Sequence, residues 1–142
     1  MTFFGPARSV AGPSQPLDWA MFLGDETAVG LAVALLEALP AGTRVLGAIE
    51  SDVSDAPAVA AFGLPLASAC RGPHHGAALT GWLDGVELPA GRGTVWLSGE
   101  ASSVLTLRNA LLERGLRRDH LVMKPYWSVK GHAHRKSLSR QL

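Results

Sequence analysis

Two short turns carry the residues best suited to chemistry. Gly24-Asp25-Glu26-Thr27-Ala28 lies between the apolar runs Trp19 to Leu23 and Val29 to Leu39, and Ser98-Gly99-Glu100-Ala101-Ser102 follows the β-favouring run Thr94 to Leu97. Each combines glycine, acid and hydroxyl where a strand passes into a helix. In open α/β domains such turns line the ligand crevice, because strand carboxyl ends and helix amino ends meet there. Backbone amides at Thr27 and Ala28 point from a helix start and suit a pyrophosphate. Asp25 and Glu26 act in the opposite sense: they complement the helix dipole but repel phosphate, so a well-capped structural turn explains them equally well. Ser102 can cap the following helix without any ligand.

The other reactive side chains are less informative. His74-His75 and His132-Ala133-His134 carry imidazoles that bind transition metals, but neither group has a carboxylate or cysteine cluster beside it, which favours loop and tail histidines. Cys70 is the only cysteine in 142 residues, so neither an internal disulfide nor a thiolate metal site can form, and a reducing, cytoplasmic setting is expected. No side chain is an obvious general acid, base or nucleophile. The formal net charge of +1 gives no field that implies nucleic acid or a membrane. Lys130, Arg135, Lys136 and Arg140 make the tail basic, yet the aromatic platforms of single-strand readers are scarce, with one Tyr and four Phe.

The elements that must position these turns follow from composition and periodicity. Residues 1–16 are rich in Gly, Pro and Ser and read as a lead-in; Pro6, Pro13 and Pro16 argue against a secretory signal. Leu17 to Leu23 reads as a buried strand, Thr27 to Leu39 as a helix ended by Pro40-Ala41-Gly42, and Thr43 to Ile49 as a second strand. Ser51 to Gly63 is a connection with one helical turn. Leu64 to Cys70 is expected as a third strand, with Pro65 at its start or on a free edge. A helix over Ala77 to Val86, a strand over Thr94 to Leu97, a helix from a Ser102 cap to about Arg114 with Gly115 as its stop, and a strand over Leu121 to Trp127 complete the chain. Trp96 is expected in the core. The longest apolar run, Ala28 to Leu39, is too short to span a bilayer.

Strands alternating with helices imply an α/β, three-layer αβα domain over residues 17–128, with an open parallel five-stranded sheet and residues 129–142 as a basic tail. If strand order reverses beside the first strand, the turns Gly24 to Ala28 and Ser98 to Ser102 face each other across the crevice.

At these turns the sequence resembles the carboxy-terminal NAD(P)H-binding domain of the siderophore-interacting protein family, ferric-siderophore reductases related to ferredoxin reductases. The resemblance is carried by Leu23-Gly24-Asp25-Glu26-Thr27-Ala28, Leu39-Pro40-Ala41-Gly42-Thr43-Arg44-Val45, Trp96-Leu97-Ser98-Gly99-Glu100-Ala101-Ser102, Glu113-Arg114-Gly115-Leu116 and Tyr126-Trp127, in family order. It covers nearly the whole chain from Gly5-Pro6 to Gly131. The chain departs from the family where Ala28-Val29-Gly30 stands for Ala-Leu-Pro, and where Pro125-Tyr126-Trp127-Ser128 stands for Gly-Tyr-Trp-Arg.

The resemblance implies strand order 3-2-1-4-5 and a site for NADPH or NADH, whose hydride passes to flavin and whose electrons pass on to ferric siderophore. No flavin-binding barrel is evident, so FAD is expected only through a partner chain. On this reading Gly24, Asp25, Glu26, Thr27 and Ala28 hold the pyrophosphate. Ser98, Gly99 and Glu100 approach the nicotinamide ribose, while Ser102 or Ser103 donates to phosphate. Arg71 pairs with the 2′-phosphate of NADPH through its planar fork. Tyr126 and Trp127 lie against a flavin or nicotinamide ring. Such a site needs no catalytic side chain, since the cofactors carry the chemistry. A flavin-binding protein, a ferric siderophore or a second copy are the expected partners. The alternative is a non-catalytic nucleotide- or protein-binding module that keeps the fold.

Overall fold

The computed structural model describes residues 17–127. The lead-in 1–16 and the tail 129–142, with His132, His134 and the tail cations, lie outside the described residues.

Five strands form one parallel sheet in the order β3-β2-β1-β4-β5. They are β1 (Trp19–Asp25), β2 (Arg44–Ser51), β3 (Ala67–Cys70), β4 (Gly93–Glu100) and β5 (Leu121–Trp127). Four α-helices join them: α1 (Val29–Ala38), α2 (Ala56–Ala60), α3 (Ala77–Asp84) and α4 (Ala101–Glu113). Short 3-10 turns over Glu26–Ala28 and Arg118–His120 lead into α1 and β5.

Alternation along β1 explains the layers. Trp19, Met21 and Leu23 pack with Leu79 and Leu83 of α3 and with Val104, Leu107 and Leu111 of α4. The intervening Ala20 and Phe22 face the other way, against Val29, Ala32 and Leu35 of α1. A central parallel strand covered on both faces is a near-continuous apolar run, and β1 is apolar from Trp19 to Leu23 and buried over its whole length. Trp96 lies in the second of these clusters, 2 % exposed.

The boundaries differ from the sequence expectation where polar residues end a strand. β1 runs on to Asp25, β2 to Ser51 and β4 to Glu100, so the acids at the crevice belong to strand ends and not to the turns after them. The third strand begins at Ala67, which leaves Pro65 outside the ladder. Gly115, at φ +96, ends α4 as expected. Among the described residues no helix is long and apolar enough to cross a membrane.

Candidate functional site

The carboxyl ends of β1, β2 and β4 bring three buried carboxylates to one edge of the sheet. Asp25, Glu50 and Glu100 are 4 %, 1 % and 3 % exposed. Charges at that depth persist only with partners, and each of these finds them at a helix or turn start.

Asp25 caps the turn after β1. Its Oδ1 accepts from the Thr27 amide at 2.9 Å and from the Thr27 hydroxyl. Its Oδ2 accepts from the indole N–H of Trp127 at 3.1 Å. Trp127 also meets His75 edge-on, with ring centroids 5.1 Å apart and planes at 85°. The backbone of Tyr126 lies beside it in β5.

Glu100 caps α4, and it displaces Ser102 from the capping role expected of it. The carboxylate accepts from the amides of Ser102 and Ser103, both at 2.9 Å, and from the two hydroxyls at 2.7–2.8 Å. Burial opposes ionisation of Glu100, but the Ser103 and Ser102 hydrogen bonds outweigh it and bring the pKa down to about 2. The Ser98 hydroxyl donates to the Lys124 carbonyl at 2.6 Å, tying β4 to β5. Gly99, at φ +123, runs so close to Asp25 that a Cβ there would lie 2.7 Å from its Oδ2.

Glu50 serves α3. Its oxygens accept from the Gly76 amide at 3.0 and 3.1 Å and from the Ala78 amide at 3.2 Å. Arg71, just past β3, joins Glu50 to the first turn: its Nε donates to Glu50 at 3.1 Å, and Nη1 and Nη2 grip both oxygens of Glu26. The pairing with Glu26, then that with Glu50, raises the guanidinium pKa against the cost of burial. Burial likewise opposes ionisation of Glu26, and Arg71 reverses it, so this carboxyl sits below its usual range.

The structure therefore brings Gly24, Asp25, Thr27, Ala28, Gly99, Glu100 and Trp127 to one crevice and ties Arg71 to it through Glu26. The cap residue of α1, Ala28, makes no side-chain cap bond, and no side chain among the described residues accepts from the amides of Ala28, Val29 or Gly30. Gly30 is exposed, with open space where a Cβ would stand. Ala28 and Val29 are buried within the continuation of the 3-10 turn, so of these amides the one at the surface is that of Gly30, at a helix start that suits an anion. The starts of α3 and α4 are already occupied by Glu50 and Glu100. A cavity of about 140 Å³ lies between those two starts, lined by His75, Thr80, Ser102 and Thr106 among others.

Sequence reasoning passed over Glu50, Asp52 and Gly30 as site residues and weighed His75 only as a metal ligand. Glu50 had a signal: an acid directly after the apolar Val45 to Ile49 run must end the strand or be buried with a partner. His75 had none, because its meeting with Trp127 brings the loop before α3 to the end of β5, distant in sequence. Among the described residues Glu26, Asp52 and Asp55 bring carboxylate oxygens within 4.8 Å of one another, but Arg71 already pairs with the first two.

Comparison with known proteins agrees with this arrangement. No curated protein matches the chain by sequence. A siderophore utilization protein from T. fusca shares 30% identity and a TM-score of 0.66, over 82% of this chain and 47% of its own. The siderophore-interacting protein from Acinetobacter baumannii gives 21% identity and a TM-score of 0.66, over 93% of this chain and 58% of its own. The chain thus spans about half the length of these solved relatives. The CS-b5R domains of human Ncb5or, solved in the NAD+ form, share the fold at 14% identity and a TM-score of 0.51, over 75% of this chain and 36% of theirs. The five-stranded 3-2-1-4-5 sheet is that of ferredoxin-reductase-like nucleotide-binding domains. The sequence model of the siderophore-interacting proteins matches residues 17–130, which include both strand-end turns and Trp127, and the chain belongs to that family.

Proposed function

We propose that this chain is the nicotinamide-nucleotide half of a flavin-dependent ferric-siderophore reductase. The carrying observation is the exposed first turn of α1 at Gly30, at the point where strand order reverses, beside the carboxyl end of β1. A nicotinamide nucleotide bound there supplies hydride to a flavin held elsewhere, and through it electrons to ferric siderophore.

The residues of the chain bind and orient. Gly30, exposed in the first turn of α1, offers its amide to the pyrophosphate, while Asp25 fixes the preceding turn. Gly99 leaves the crevice floor clear, and Glu100 holds α4 and the β4 end in register. Trp127, fixed by Asp25 and His75, presents an aromatic wall suited to a planar ring. Membership of the siderophore-interacting family, and the fold shared with the human CS-b5R domains solved in the NAD+ form, support the reading.

The test is a titration of the 142-residue chain with NADH, NADPH, FAD and a ferric siderophore, followed by tryptophan fluorescence and calorimetry. Saturable binding of a nicotinamide nucleotide is expected. Failure of both nucleotides to bind, alone or with an added flavoprotein, would overturn the proposal and favour a non-catalytic binding module.

A further inference from the structure

We infer that the site selects NADH over NADPH, and that Glu26 and Asp52 set this preference by holding Arg71. The inference rests on the nucleotide reading above and adds a specificity to it.

An arginine recognises a phosphate by presenting two parallel N–H groups to its oxygens. Arg71 has both of its forks engaged within the protein. The Nη1 and Nη2 pair faces the Glu26 carboxylate, with the Nη1 bond at 2.9 Å. On the other side, Nε donates to the Glu50 carboxylate at 3.1 Å, and Nη2 reaches the Glu50 carbonyl at 3.5 Å. Asp52 stands 3.6 Å from Nη1. With its side chain 10 % exposed, Arg71 can accept a phosphate only by giving up Glu26.

Charge points the same way. Three carboxylates surround one guanidinium, so the cluster is negative before any ligand arrives. A 2′-phosphate brings a further charge of about −1.5 to −2 and acceptor oxygens only. It would face Glu26 and Asp52, which are acceptors only when ionised. A free ribose 2′-hydroxyl, by contrast, is a donor. Asp52 follows β2 directly, its side chain is 57 % exposed, and an acid at that place in doubly wound nucleotide domains accepts from the ribose hydroxyls. These acceptors match an unphosphorylated adenosine ribose.

Calorimetric titrations of the full chain with NADH, NADPH, AMP and adenosine 2′,5′-bisphosphate test this directly, and the last two isolate the ribose without flavin or nicotinamide. Each unphosphorylated ligand is expected to bind at least about tenfold more tightly than its 2′-phosphorylated counterpart. The double variant Glu26→Gln, Asp52→Ser frees the outer fork of Arg71 and should bring each ratio close to unity, with thermal melts confirming that it folds. NADPH binding as tightly as NADH would overturn the inference and leave the nucleotide reading intact. So would an unchanged ratio in the folded double variant. Absence of binding by all four ligands would overturn both.

Discussion

Trp127 donates its indole N–H to Oδ2 of Asp25 at 3.1 Å, linking the last residue of β5 to the last residue of β1 although β4 lies between them. The contact needs Gly99. Gly99 has a positive φ, and its missing side chain leaves room for the Asp25 carboxylate, on which any Cβ there would press. Asp25 consequently works in two directions, shaping the turn through Oδ1 and anchoring the aromatic wall through Oδ2.

Replacing Trp127 by Phe keeps a ring but removes the donor. A hydrogen bond to a charged acceptor is worth about 1.5–3 kcal/mol when desolvated, and this partly buried one should sit near the lower figure. Thermal or urea unfolding of the Trp127→Phe variant is expected to show that loss. Gly99→Ala should cost more, because the contact and the backbone conformation are both strained. A wild-type midpoint in Trp127→Phe would mean that Thr27 alone satisfies Asp25.

Glu100 makes stability depend on acid. Its folded pKa of about 2 lies below the ordinary 4.5, so its stabilising contribution is complete above the ordinary value and is lost as pH falls from about 4.5 to about 2. The Glu100→Gln variant cannot titrate and should lose about 1–2 kcal/mol at neutral pH, as a weakened helix cap does. Urea unfolding at a series of pH values checks the sign. The wild-type and Gln curves should converge as pH drops through this window, and parallel curves would contradict the assignment.

How far the crevice was legible follows from which residues act locally. The strand-helix alternation could be read because apolar runs and their Gly, Pro and Ser stops are short-range signals, whereas the strand order 3-2-1-4-5 came from the family resemblance alone. The ends of β1, β2 and β4 carry Asp25, Glu50 and Glu100 beyond the expected strands for one reason: a buried carboxylate is unfavourable until its partners are known. Those partners are the amides of Thr27, Gly76, Ser102 and Ser103. The Ser102 cap failed likewise, since a longer acid two residues earlier satisfies two amides at once. Arg71 was visible as a basic residue after a strand. Its engagement by Glu26 and Glu50 spans three loops and could only come from the fold.

Gly30 separates stability from nucleotide binding in a single position. It lies in the first turn of α1, exposed, with no atom within 4 Å of a built Cβ, so Gly30→Ala should stabilise by about 0.5–1 kcal/mol through the entropy of the unfolded chain. Ala keeps the amide N–H, and NADH affinity should stay as in the wild type. Gly30→Pro is tolerated in a first helical turn but deletes that donor. If the amide meets a phosphate oxygen, proline should weaken NADH by roughly tenfold, about 1.4 kcal/mol. Calorimetry on the two variants decides the matter: equal NADH affinity for Ala and Pro at position 30 would move the pyrophosphate away from this amide.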